Sequence, residues 1–177
     1  APSGMPPNVI FSATGGRTYQ MVLDSKYGYT GDFTLIHRFV VSPPNDNFSK
    51  RTLFTGTNVT LQATTQGATR EFREPDHNGS GTLSNSVWWS WIAPTTGRGL
   101  LSLRAPGQPA ALAVYTGNVV TNLVLVGRQA SSGSAINLGF YGASGQVYQV
   151  ALDALPWAAN PLNSIDFSFF PAPPMCR

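Results

Sequence analysis

The chain has 177 residues, of which only 11% are charged, and its 11 basic and 8 acidic residues give a formal net charge of +3. An apolar fraction of 42% with so few charges excludes intrinsic disorder. Because no run of Lys or Arg alternates with aromatic residues, we expect no nucleic acid binding. No apolar run is long enough to span a bilayer, so membrane insertion is not expected either.

Short strands are predicted along the whole chain, because apolar residues recur with a period of two. In the first 41 residues, the apolar positions of 19–23 and of 33–39 each share one face of a predicted strand. Further strands are predicted at about 57–63, 86–92, 99–103, 112–115, 123–127, 135–141, 147–152 and 165–170. Turn sequences rich in Gly, Pro and Ser separate them, which indicates an all-β protein, an antiparallel β-sandwich or jelly roll.

The chain repeats itself at a distance of one domain. Residues of segment 8–24 recur in segment 137–153, and the members of every pair, such as Asn8 and Asn137, are 129 residues apart. This spacing is typical of tandem domains. We predict that residues 1–41 are the closing strands of one module and contribute extra strands, that 42–174 form a complete module, and that 175–177 are a tail.

The partial copy needs a partner, because a segment of about 40 residues cannot bury enough apolar surface to be stable alone. Residues 1–41 can pack onto the complete module, complete a neighbouring copy, or belong to a longer natural chain. The sequence leaves these arrangements open. Cys176 is the only cysteine, so no internal disulfide is expected.

Four motifs resemble, in order, those of the bacterial pre-peptidase C-terminal domain family. They are PPNDNF at 43–48, SVWWSWIAP at 86–94, LAVYTG at 112–117 and SGQVYQVALD at 144–153. Residues 15–39 resemble the closing strands of the same family. The resemblance implies a secreted, extracellular or cell-surface bacterial β-sandwich without catalytic activity, often in tandem and appended to proteases, glycan-degrading enzymes and adhesins.

Calcium is the predicted cofactor, because carboxylate and amide oxygens are the ligands that Ca²⁺ prefers. The predicted metal ligands are Asn45, Asp46, Glu71, Glu74 and Asp76. The resemblance also implies calcium, since some family members bind it near their starting Asn-Asp. The chain lacks the further acids that those members carry before the tryptophan strand. Asp46 can alternatively cap a turn through its backbone.

Aromatic faces are the predicted ligand sites, because the C–H groups of a pyranose pack on a π-face. Trp88 is predicted to be partly exposed, opposite the core-facing tryptophans of its strand. Trp157 lies in a predicted loop, and Tyr27 and Tyr29 lie in a Gly-rich turn. Arg73 is a local cation for anionic glycans. Packing at a sheet edge is the alternative explanation for the aromatic residues.

No catalytic motif surrounds either histidine, so enzymatic activity is not expected. The predicted function is non-catalytic binding of extracellular polysaccharide or protein, for substrate targeting or adhesion. The alternative is a structural repeat of a large surface or fibre-forming protein, assembled by strand complementation with other copies or neighbouring repeats. A third hypothesis makes the chain the C-terminal part of a protease or hydrolase.

Overall fold

The computed structural model describes residues 9, 11, 13–24, 28, 30–81, 85–104, 107–154 and 163–173. The chain divides into a first unit, Ala1–Phe39, and a sandwich unit, Val40–Arg177. Within the described ranges, no helix is long and apolar enough to cross a membrane.

The sandwich unit is all-β, which confirms the predicted fold class. Its described residues form strands β1 (Thr52–Phe54), β2 (Asn58–Ala63), β3 (Asn85–Ile92), β4 (Gly97–Leu103), β5 (Ala110–Thr116), β6 (Val124–Ser131), β7 (Ile136–Gly142), β8 (Val147–Ala154) and β9 (Asn163–Pro171). Two short 3-10 helices lie at Phe48–Lys50 and Val120–Asn122.

The strands form two sheets that pack face to face. The five-stranded sheet has the order β1-β3-β8-β5-β6, and the four-stranded sheet has the order β2-β9-β4-β7. Every pair is antiparallel except β1 with β3, which is parallel. The last two strands, β8 and β9, therefore each lie inside a sheet, between two partners.

The core lies between the sheets and is built by the inward residues of both. Trp89 and Trp91 of β3 belong to it, as their shared strand face predicts. The five-stranded sheet is also covered on the side that points away from the core, where Trp88 packs with Phe48 and Tyr115. Burial on both faces explains why β3, β5 and β8 are apolar along most of their length, as in doubly covered sheets.

The first unit contains no strand among its described residues, so the strands predicted at 19–23 and 33–39 are not formed in this structure. The alternating apolar side chains are exposed, including Met21, Leu23, Phe33 and Leu35. The physical reason is that a strand needs a neighbour for its backbone N–H and C=O groups. The alternation of apolar residues predicts which face of a strand would be buried. It does not supply the neighbouring strand whose backbone must pair with it.

Candidate functional site

The outward side of the four-stranded sheet presents its side chains in regular rows. Along β4, β7 and β9, buried residues alternate with exposed or half-buried ones, so the outward residues align in rows across the strands. The rows are Tyr141, Arg98, Phe170; Gly139, Leu100, Ser168, Asn58; and Asn137, Ser102, Asp166, Thr60. We call these residues the outer face.

One row of the outer face carries two exposed aromatic rings with a cation between them. Tyr141 of β7 is 80% exposed and Phe170 of β9 is 57% exposed. Both are register partners of Arg98 on the intervening strand β4. Because neighbouring strands lie ~4.8 Å apart, the two aromatic residues are separated by roughly 10 Å. Two such rings can contact different sugar units of an extended chain.

The Arg98 side chain lies over Gly139, which is its diagonal neighbour on β7 and pairs with Leu100. A Cβ atom added to Gly139 would lie 3.5 Å from Nη2 and 3.7 Å from Nε of Arg98. The guanidinium group therefore occupies the space above Gly139. Its N–H donors therefore lie close to the sheet.

The third row supplies hydroxyl, amide and carboxylate groups. The Thr60 hydroxyl donates to Asp166 Oδ1 at 2.8 Å, and the Ser102 hydroxyl donates to Asn137 Oδ1 at 2.8 Å. Asp166 Oδ2 also lies 3.6 Å from Nε of the exposed Arg104. These contacts orient polar groups at the surface, where they can exchange hydrogen bonds with sugar hydroxyls.

A cavity of about 340 Å³ lies at the side of the sandwich where the edge strands β1 and β2 end the two sheets. Its lining consists of Pro43, Pro44, Asn45, Thr52, Thr60, Leu61, Gln62, Ala63, Thr64 and Trp89. None of these side chains is an acid, a base or a nucleophilic thiol, so the cavity offers no general acid–base pair.

Trp88 is fully buried, so the prediction that it is partly exposed is wrong. Its indole ring packs against Phe48 at 5.1 Å, His77 at 5.1 Å and Tyr115 at 6.1 Å between ring centroids. The loop that carries His77 covers this side of the sheet, and no sugar can reach the ring. Trp88 is a packing residue.

The other predicted ligand residues have different outcomes. Tyr27, Tyr29 and Trp157 lie outside the described residues. Arg73 is exposed, and its guanidinium carbon lies 5.2 Å from the ring centroid of Phe72. Arg73 also has φ 60, the left-handed region that residues other than Gly rarely adopt. It lies in the loop before β3 and is not part of the outer face.

Three of the predicted metal ligands already serve as hydrogen-bonding partners of the chain. Asp46 accepts hydrogen bonds from the backbone N–H of Thr69 at 2.6 Å and from its hydroxyl at 3.0 Å. The Asn45 amide donates to the Trp88 carbonyl at 3.0 Å. Glu71 accepts a hydrogen bond from the backbone N–H of Phe48. These contacts tie the segment after Pro43 and the loop before β3 to the sheet.

The remaining predicted ligands are Glu74 and Asp76. Burial acts to raise the pKa of Asp76, but hydrogen bonds from the backbone N–H groups of Gly81 and Asn78 lower it overall. Within the described ranges, no group of three or more His, Cys, Asp and Glu side chains is placed to hold a metal ion. Calcium binding therefore stays a prediction from the sequence.

A closed hydrogen-bonded network lies beneath the loop before β3. His77 Nε2 lies 2.8 Å from Glu74 Oε1, and His77 Nδ1 lies 2.8 Å from the Tyr115 hydroxyl. The Ser86 hydroxyl donates to the same Glu74 oxygen. The Glu74 and His77 side chains are almost completely buried. The network links the loop before β3 to the sheet, because the Ser86 hydroxyl of β3 donates to Glu74 of the loop. Its Glu74 and His77 side chains are closed to solvent, so a substrate cannot reach them.

Asp153 is a second buried carboxyl group, at the end of β8. Its Oδ1 accepts a hydrogen bond from the backbone N–H of Asn85 at 2.9 Å. Burial raises the pKa of Asp153 to about 6, against the lowering effect of the nearby His77. Burial likewise raises the pKa of the Tyr115 hydroxyl. Both groups are therefore held in their neutral forms more strongly than in water.

Asp153 is expected to make stability depend on pH between about 4 and 6. The unfolded carboxyl titrates near 3.8 and the folded one near 6. The protonated Asp153 carboxyl group contributes its full stabilisation below the unfolded pKa. This stabilisation is lost as pH rises through the folded pKa, because the buried carboxyl group must then release its proton. The difference between the folded and unfolded pKa values of Asp153 corresponds to at most ~3 kcal/mol of stability.

The Asp153→Asn variant tests this, because it keeps an oxygen for Asn85 and does not titrate. We expect the free energy of unfolding of the unmodified protein, relative to that of the variant, to fall by about 1–3 kcal/mol between pH 4 and pH 7. Urea unfolding at several pH values measures it. Parallel curves for the two proteins would contradict the assignment.

Tyr141, Phe170 and Arg98 are the main residues of the outer face, and none of them was predicted as a ligand residue. A usable signal was present in the aromatic pairs Phe140-Tyr141 and Phe169-Phe170, near the ends of two predicted strands. Period-two alternation forces one member of each pair outward. Only the strand order, with β4 between β7 and β9, places the two outward rings on either side of Arg98.

The solved structures that are similar to this chain include the following two. The pre-peptidase C-terminal domain of a collagenase from Bacillus anthracis has a TM-score of 0.43 and 13% sequence identity, covering 68% of this chain and 94% of that chain. A surface-associated copper-binding protein important in copper acquisition in Methylomicrobium album BG8 has a TM-score of 0.43 and 9% identity, covering 67% of this chain and 97% of that chain. No family model and no curated protein matches the sequence.

Proposed function

We propose that the sandwich unit is a non-catalytic module that binds extracellular polysaccharide on the outer face of its four-stranded sheet. The observation that carries the proposal is the row in which Tyr141 and Phe170 flank Arg98. The motifs that resemble the pre-peptidase C-terminal family support a secreted module of that type, used for substrate targeting or adhesion.

The aromatic row supplies the main attraction. An exposed ring loses contact with water when the apolar C–H face of a pyranose covers it. The sugar gains packing contacts on the π-face of the ring. Tyr141 and Phe170 stand far enough apart to engage two positions of one extended polymer. Arg98 between them can donate to ring or hydroxyl oxygens without a steric barrier from Gly139.

The polar rows favour a sugar polymer over a protein partner. The centre of a protein interface is normally apolar and depleted in charge. The rows beyond the aromatic one contain mostly Ser, Thr, Asn and Gly, with Leu100 as the single large apolar residue. Hydroxyl and amide groups in this number match the alternating donors and acceptors of a polysaccharide.

Alanine variants of the two rings test the proposal. We expect the protein to pellet with at least one insoluble polysaccharide among cellulose, chitin and peptidoglycan. Tyr141→Ala and Phe170→Ala should each weaken binding by roughly threefold to tenfold, because an aromatic contact contributes about 0.5–1.5 kcal/mol. The double variant should bind weakest of all. Sedimentation with increasing amounts of polymer measures the apparent affinity.

Phe72→Ala is the matched control, because Phe72 is 82% exposed but lies in the loop before β3. It should bind like the unmodified protein. Binding to none of the polymers, or binding that depends on Phe72 and not on the two rings, would overturn the proposal. Fibrillar collagen serves as the protein arm, and binding to collagen alone would replace polysaccharide by protein as the ligand class.

A further inference from the structure

Residues 14–19 of the first unit form a closed turn. The backbone N–H of Arg17 donates to the Thr14 carbonyl at 3.2 Å, and the backbone N–H of Thr14 donates to the Tyr19 hydroxyl at 2.8 Å. Gly16 has φ 78, a left-handed conformation that suits Gly. The Phe11 and Tyr19 rings lie 5.2 Å apart at an angle of 47°.

The same turn recurs 129 residues later, between β7 and β8. The backbone N–H of Gln146 donates to the Ala143 carbonyl at 3.0 Å, and the backbone N–H of Ala143 donates to the Tyr148 hydroxyl at 2.9 Å. Gly145 has φ 76. The rings of Phe140 and Tyr148 lie 5.3 Å apart at 51°. The repeat in the sequence is therefore also a repeat in structure.

This equivalence shows which strands of the sandwich unit correspond to the residues after the first turn. Segment 18–24 corresponds to β8, and segment 32–34 corresponds to residues 166–168 of β9. In the sandwich unit, β8 lies between β3 and β5, and β9 lies between β2 and β4. Each closing strand therefore needs two neighbours, one on either side.

Burial differs sharply between the two copies. Leu152 of β8 and Phe167 of β9 are fully buried in the core, whereas their equivalents Leu23 and Phe33 are 62% and 61% exposed. The first unit thus keeps the side chains and the turn of the closing strands, but these side chains are exposed. The missing contacts are those that strands equivalent to β2, β3, β4 and β5 supply.

We propose that residues 13–39 are the closing strands of a second β-sandwich of this type, inserted into a module that lacks its own β8 and β9. The partner is an incomplete module, because a complete one already fills both central positions with its own strands. Backbone pairing on both sides of an inserted strand is the mode of recognition in strand complementation. The interaction adds a structural role to the polysaccharide proposal and is independent of it.

A fusion supplies such a partner in the register of the repeat. Residues 40–129 of this chain are placed directly before Ala1, so that residue 1 follows where residue 130 would stand. We expect amide hydrogens of 18–24 and 32–39 to exchange at least about 100-fold more slowly in the fusion than in the unfused chain, because they become hydrogen-bonded within sheets. Hydrogen exchange with mass spectrometry measures it, and 147–154 and 163–171 serve as internal references.

Two neighbouring substitutions in the fusion separate insertion from unspecific collapse. Phe33→Asp changes the equivalent of the fully buried Phe167 and should remove the protection, whereas Thr34→Asp changes the equivalent of the half-buried, outward Ser168 and should preserve it. Unchanged fast exchange in the fusion would overturn the proposal. Protection that instead develops in the unfused chain with rising concentration, together with dimer formation, would make the partner a second copy and also overturn it.

Discussion

Replacing Trp91 by Ala is expected to lower the free energy of unfolding by about 3–5 kcal/mol. Trp91 is buried at the centre of the core, and its ring centroid lies 4.8 Å from that of Phe167 and 4.9 Å from that of Phe169. Its indole N–H donates to the Gly56 carbonyl at 3.0 Å. The substitution removes packing from both sheets at once and leaves a cavity that neighbouring strands cannot close.

Urea unfolding followed by circular dichroism measures the effect, and Ile92→Ala is the matched control. Ile92 is the next residue of β3 and is about half exposed, so its truncation should cost less than about 1 kcal/mol. Trp91→Phe retains most of the packing, which gives a measurable variant even if Trp91→Ala does not fold. Equal losses for Trp91→Ala and Ile92→Ala would contradict the assignment of Trp91 to the core.

The Glu74→Ala substitution is expected to lower the free energy of unfolding by about 3–5 kcal/mol, because it removes the shared acceptor of several buried hydrogen bonds. Glu74 is the acceptor that joins His77 and Ser86, and it also accepts a hydrogen bond from the Glu71 backbone N–H at 2.7 Å. Its removal takes the acceptor from His77 and from the Glu71 backbone N–H and leaves Ser86 only a 3.4 Å hydrogen bond to the Thr69 carbonyl, which costs desolvation of these groups. The loop before β3 should then separate from the sheet more readily than the core unfolds.

Two measurements follow the Glu74→Ala variant. Urea unfolding gives the loss of stability. The substitution should accelerate hydrogen exchange in residues 65–81 more than in β3 and β8. Asp166→Ala is the control, because this carboxylate is partly exposed and its salt bridge with Arg104 contributes little. Equal losses for the two variants would show that the buried network does not hold the loop.

The fold was largely predictable because the sandwich unit obeys local rules. Alternation located most of its strands, and the shared face of Trp89 and Trp91 identified core residues. β1 was missed, since three residues of a parallel edge strand carry no periodic signal. Trp88 was misplaced because alternation states which residues share a face, and it does not reveal whether a loop covers that face.

In the first unit, alternation predicted strands that its described residues do not form. Its alternating residues were predicted as strands, and the same pattern does form strands in 147–154 and 163–171. The pattern is therefore correct for the module type, and pairing partners decide whether it is realised. The buried network was equally hard to foresee, because His77 meets Tyr115 across 38 residues of sequence.

The most direct test of the central claim, polysaccharide binding by the outer face, is a titration of the isotopically labelled protein with soluble cellohexaose and chitohexaose, followed by NMR. Chemical shift changes should cluster on β4, β7 and β9 and be strongest at Tyr141, Arg98 and Phe170. They should disappear in the Tyr141→Ala/Phe170→Ala double variant. Two results would contradict polysaccharide binding by the outer face: changes confined to the loop before β3, or no changes with the oligosaccharide of a polymer, cellulose or chitin, with which the protein pellets.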